Sequence, residues 1–136
     1  MQGDDGPPRA DPIGDGIRLF NEGFFFEAHE VLEGAWNVER GEPRLFLQGL
    51  IQICAGLHHF QNGNLSGATA LLSRGTEKMR RYPGTYLGMD AGSLLVDVRA
   101  FLKRISQAIA SPSDARPMEF PRIQSTPDHG ISDSSA

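Results

Sequence analysis

The sequence predicts an all-α fold, a compact bundle of about five helices with tetratricopeptide-like antiparallel helical hairpins. Three observations carry this. The nine prolines stand at 7, 8, 12, 43, 83, 112, 117, 121 and 127 and leave three long proline-free blocks between 12 and 112. Proline is excluded from helix interiors but suits the first helical turn, so the blocks read as helices opened at 12, 43 and 83. Apolar residues in those blocks recur at helical spacing, and no segment sustains the alternation of a half-buried strand.

Helix 1 is expected over about 12–22, with Asp11 as N-cap and Pro12 at the first position. Gly23 breaks it. Helix 2, about 24–38, sets Phe25, Ala28, Leu32 and Ala35 on one stripe and ends near Arg40-Gly41-Glu42. Helix 3 runs from Pro43 to about Gln61. Its apolar residues and glycines cover nearly the whole circumference, which places it at the centre of the domain. Asn62-Gly63 is a turn, and Asn64 caps helix 4, with its stripe of Ala68, Leu71, Leu72, Gly75 and Met79. Tyr82-Pro83-Gly84 stops that helix. Helix 5, about 90–110, has Leu94, Leu95, Val98, Phe101, Leu102, Ile105 and Ile109.

Residues 1–11 read as a disordered N-terminal segment and 12–110 as a single helical domain. Residues 111–136 hold four prolines and six serines and read as a largely irregular tail. Met118, Phe120 and Ile123 are the residues by which a short piece of it could dock on the bundle. An internal repeat appears at an offset of 40: FNEGFFFEAHEVL (20–32) lies over FQNGNLSGATALL (60–72). It matches Phe20 with Phe60, Gly23 with Gly63, Ala28 with Ala68 and Leu32 with Leu72. Each copy reads as helix end, glycine turn and new helix with a small residue where helices cross; a plain bundle with two similar turns gives the same pattern.

The chain of 136 residues has a net charge of −4, unevenly spread. Residues 1–73 carry −6, 74–104 carry +4 and the remainder −2. That balance argues against general nucleic-acid binding, which needs a basic surface. The one cysteine, Cys54, cannot form an intrachain disulfide, and a reducing compartment is the default. The start lacks the basic and apolar regions of a signal peptide, and residues 45–60 are too short and too polar to span a bilayer. A soluble, cytoplasmic protein with no membrane partner is expected.

Candidate chemistry gathers in helices 2 and 3. On helix 2, His29, Glu33 and Trp36 fall on the edge of the apolar stripe, while Glu27 and Glu30 point away. On helix 3, Gln48, Gln52 and His59 are the polar exceptions. The expectation is that these edges face each other as one buried or cleft-lining cluster, with Trp36 as its apolar wall. Three readings are open. The cluster is a polar network fixing helix register, or it supplies directional groups to a small-molecule or peptide pocket. In the third, His29, Glu33 and His59 hold a divalent metal for an enzyme; HExxE is not the zinc-protease HExxH, and no second motif supplies a di-iron site. If Glu33 faces helix 3, Glu33→Ala costs roughly 1–3 kcal/mol and Glu30→Ala stays within about 0.5 kcal/mol. Arg74, Lys78, Arg80 and Arg81 form a basic patch, read either as a solvated helix end or as a phosphate or RNA site. Cys54 reads as core rather than nucleophile.

FNEGFFFEAHEVLEGAW and RLFLQGLIQICAGLHHFQNGNLSGATALL together resemble the domain of unknown function 309 family, small helical proteins of bacteria and archaea. The resemblance covers about residues 16–82. It implies a compact helical fold and picks out His29, Glu30, Glu33, Trp36, Gln48, Gln52 and Asn64 as motif positions, without assigning a role to any. It also implies that the position of His58 is more often aromatic, which leaves His59 the better candidate. No cofactor is implied. A small molecule or a peptide is the expected partner, and a homodimer is left open.

Overall fold

The computed structural model describes residues 11–114 and 118–126. Five helices follow one another: α1 (Pro12–Asn21), α2 (Phe25–Val38), α3 (Pro43–Gln61), α4 (Leu65–Met79) and α5 (Ala91–Ala110). The predicted all-α bundle is what forms. Asp11 caps α1 by accepting from the Gly14 N–H at 3.0 Å, and Asn64 caps α4 by accepting from that of Gly67 at 2.9 Å. Asp90 does the same for α5 through Ser93 at 3.0 Å.

Successive helices pack on one another in antiparallel hairpins. Between α1 and α2, Phe20 meets Phe25 edge-on, ring centroids 5.1 Å apart, and Gly16 lies against Leu32. Both glycine turns close in the same way. The Phe24 N–H reaches back to the Leu19 carbonyl at 2.9 Å, and the Asn64 N–H to that of His59 at 2.8 Å. Gly23 and Gly63 stand at φ +85° and +81°, a left-handed conformation that glycine adopts at least cost. The 40-residue offset in the sequence is therefore a repeat of the turn.

α3 is the central helix. Phe46, Leu50, Ile53, Cys54 and Leu57 are fully buried. Its glycine edge lies on α4: a Cβ on Gly75 would stand 2.5 Å from the Gly49 carbonyl oxygen, and one on Gly56 would stand 2.9 Å from Leu72. Small residues let these two backbones approach, and large ones from both sides fill the remaining space.

Two features had no periodic signal. A hairpin of two two-residue strands, β1 (Thr85–Tyr86) and β2 (Met89–Asp90), joins α4 to α5. Strands this short leave no alternation to read. Beyond α5 and a 3₁₀ turn at Pro112–Asp114, residues 118–126 return as an extended strap. Asn21 holds it at the Ile123 backbone by two hydrogen bonds of 2.9 and 2.8 Å, and Ser125 bridges to Met89. The Phe120 ring packs against Phe25, Phe60 and Phe101. Apart from Asp11, the segment expected to be disordered at the N-terminus lies outside the described residues, as do 115–117 and 127–136 of the tail.

Candidate functional site

The seam between α2 and α3 is built by helix periodicity. His29 and Trp36 are seven residues apart, two turns, and so share a face of α2; Gln48 and Gln52 are one turn apart on α3. The antiparallel register is set at both ends. Near the loop, the Arg44 guanidinium lies 3.8 Å from the Trp36 ring centroid. At the far end, the Phe26 ring lies 5.2 Å from His58. His29 and Gln52 stand between these contacts, at the middle level of the hairpin.

Five buried side-chain polar atoms among the described residues have no hydrogen-bond partner, and three belong to this seam: His29 Nδ1, Trp36 Nε1 and Gln52 Oε1. An indole N–H can only donate and an amide oxygen can only accept. The imidazole nitrogen does either, according to tautomer. Each such atom left unpaired costs roughly 1–3 kcal/mol. The covers are side chains rather than backbone. Phe26, half exposed, stacks on His29 with centroids 5.8 Å apart, and Arg44 lies over Trp36.

The remaining predicted residues divide. Glu33 is not a partner of α3: its side chain is 49% exposed, and its Oε2 stands 3.9 Å from His29 Nε2 on the same helix. Glu30 is exposed, as expected. Gln48 is half-buried one turn from Gln52. His59 and Asn64 belong instead to the α3–α4 turn, where the His59 Nδ1 and Asn64 Nδ2 atoms are 3.1 Å apart. Of the five-residue cluster expected from the sequence, His29 and Glu33 approach each other along α2, and His59 is engaged in the α3–α4 turn. His59 lies two turns beyond Gln52, and Asn64 engages its ring before it can meet α2. Among the described residues, no three His, Cys, Asp or Glu side chains group as a metal ion would need, so His29, Glu33 and His59 are not brought together as ligands.

Trp36 is more than an apolar wall. Arg44, which the sequence reading passed over, stacks on it and donates from Nη1 to the carbonyls of Trp36 at 2.6 Å and Glu39 at 2.8 Å. It closes the C-terminal end of α2 with a cation, as the helix dipole favours. An arginine at the second position of the helix after a short loop was the available signal. His58, set aside from the sequence, stacks on Phe26 and approaches Asn62 with its Nε2 at 3.2 Å.

The other sequence candidates contribute less. Burial pushes the Cys54 thiol far above its ordinary range, so it is core and not a nucleophile. In the basic patch, Arg80 makes two 2.9 Å bonds to Glu77, and Arg81 stands 3.6 Å from the same carboxylate. Hydrogen bonding from Arg80 holds the Glu77 carboxyl below its usual range, so half the patch is already engaged. No described helix is long and apolar enough to cross a membrane.

Residues 13–71 match the family described as domain of unknown function, DUF309, as the resemblance implied. The match spans α1, α2, α3 and the first half of α4, and takes in every seam residue. An uncharacterised protein of Aquifex aeolicus (strain VF5) is 27% identical over 100 residues, 71% of this chain and 29% of that protein. The uncharacterised protein YpuF of Bacillus subtilis (strain 168) is 26% identical over 103 residues, 74% of this chain and 59% of that protein. The chain spans less than two thirds of the length of either relative.

Proposed function

We propose that this helical domain is a binding module whose ligand is held at the α2/α3 seam by His29, Trp36 and Gln52. The observation that carries this reading is the trio of buried, unpaired polar atoms on one hairpin. A ligand that accepts from the Trp36 indole and donates to the Gln52 carbonyl satisfies two of them at once. Amides supply both kinds of group, so a peptide or a small molecule bearing more than one amide is the chemistry that fits. Entry requires displacement of Phe26, an exposed ring of the kind that changes rotamer in picoseconds to nanoseconds, and of Arg44, which gives up its stack on Trp36 and two hydrogen bonds. Among the described residues no three His, Cys, Asp or Glu side chains group as a metal ion would need, so the binding reading is preferred to the metal-dependent one.

Trp36 is the only tryptophan, so its emission reports on the site directly. Addition of N-methylacetamide or short dipeptide amides should change that emission saturably, and Gln52→Leu should abolish the response. Gln52→Leu should also raise stability by about 1 kcal/mol in urea unfolding, because it removes an unpaired acceptor without emptying the space. An emission indifferent to every such amide, or a Gln52→Leu protein less stable than the parent, would remove the reading.

A further inference from the structure

The two glycine turns provide an internal control. Phe24 and Asn64 occupy the same N-cap position after Gly23 and Gly63, with φ, ψ of −89°, 69° and −90°, 83°. Asn64 uses the position as helices ordinarily do, accepting from the Gly67 N–H. Phe24 offers no acceptor, and α2 has no side-chain cap. Two positions on, the second copy carries Ser66 and the first carries Phe26. The first copy therefore forgoes a cap and also leaves Phe24 51% and Phe26 44% exposed. Among the described residues these are the only exposed aromatic rings. The forgone cap at Phe24 does not help the fold, and local rules are broken this way where function compensates.

The two rings border a groove of about 510 Å³ lined also by Glu27, His58 and Gln61. Its edge is acidic. Glu27 and Glu30 are exposed and, among the described residues, make no ion pair. Glu22 and Glu33 flank them and are engaged with Arg18 and His29. Aromatic faces and carboxylates attract the same partner, since the ring quadrupole and the carboxylate both favour a guanidinium or an ammonium. A second copy is a poor occupant: a two-fold contact brings each patch onto itself, setting Glu27 and Glu30 against like charges.

We propose that the Phe24–Phe26 end of α2 is a docking surface for a short segment of another protein that sets an apolar side chain between arginines or lysines. This surface is separate from the α2/α3 seam, although Phe26 borders both. The first-turn N–H groups of α2, lacking a side-chain acceptor, lie at its edge for a backbone carbonyl of the segment.

The test is selection of a random peptide library displayed on phage against the full chain, with counter-selection on Phe24→Asn/Phe26→Ser. That variant imports the second turn's residues. Synthetic versions of the enriched peptides should carry an apolar residue flanked by Arg or Lys, and should bind the double variant on the order of tenfold more weakly. Glu27→Gln/Glu30→Gln should weaken them and flatten their salt dependence, and Gln52→Leu should leave them unaffected. Phe24→Asn alone should melt at a higher temperature through the gained cap, which separates lost binding from lost folding. Enriched peptides without basic residues, binding that survives the double variant, or no enrichment over counter-selection would each overturn the proposal. So would a lower melting temperature for Phe24→Asn, or a wild-type dimer in sedimentation that the double variant converts to monomer.

Discussion

At the scale of single residues, Glu33 and Glu30 distinguish periodicity from contact. Both follow His29 on one helix, and the sequence placed Glu33 inward and Glu30 outward. In the structure Glu33 reaches only the His29 imidazole, at 3.9 Å and half exposed to water, where an ion pair contributes at most about 1 kcal/mol. Glu33→Ala is therefore expected to cost no more than Glu30→Ala, each within about 0.5 kcal/mol in chemical denaturation. A loss beyond 1 kcal/mol for Glu33→Ala alone would restore the buried role that the sequence suggested. Trp36 shows the opposite shift. It was read as apolar lining, yet its indole N–H and its place under Arg44 make it the most informative side chain of the seam.

At the scale of elements, glycines test the packing of α2, α3 and α4. Gly34 lies on the exposed side of α2 with nothing within 4 Å of the place a Cβ would take. Gly34→Ala should stabilise the protein by up to about 1 kcal/mol, since alanine is the better helix former. Gly75 sits where α4 crosses α3, and its Cβ would meet the Gly49 carbonyl and Ile53 at 2.5 and 2.7 Å. A backbone carbonyl cannot rotate away as a side chain can, so Gly75→Ala should destabilise by about 1–3 kcal/mol despite its higher propensity. Thermal unfolding of the pair decides it; shifts of the same sign would mean that helix propensity outweighs the crossing. The N-caps Asp11 and Asn64, the Pro43 start and the two glycine turns were all legible, because they depend on neighbours within a few residues.

At the scale of the whole molecule, the strap of residues 118–126 ties the chain's end to its beginning. Asn21 gives both its amide groups to the Ile123 backbone, the Asp90 N–H donates to the Gln124 carbonyl at 2.8 Å, and the Thr126 N–H to that of Gly88 at 2.9 Å. With Phe120 set among Phe25, Phe60 and Phe101, the strap covers core that α2, α3 and α5 leave open. Asn21→Ala removes two partners at once and should lower stability by about 1–3 kcal/mol in urea unfolding. An unchanged midpoint would mean that the aromatic contacts hold the strap unaided. Met118, Phe120 and Ile123 marked this segment in the sequence, but nothing there indicated where on the bundle it lies.

The sequence by itself determined the helices, their order, their caps and the centrality of α3, because 3.6-residue periodicity, proline and glycine act through local geometry. It also named His29, Trp36 and Gln52 as candidates. Only the tertiary structure decided which of them meet. His59 and Gln52 share a stripe on paper, but two turns of helix and a bond to Asn64 put His59 with the turn. Arg44 and Trp36 meet across a loop with no periodic relation to announce it. Whether a polar atom finds a partner depends on the register of two helices, and one turn of separation on either helix changes the answer.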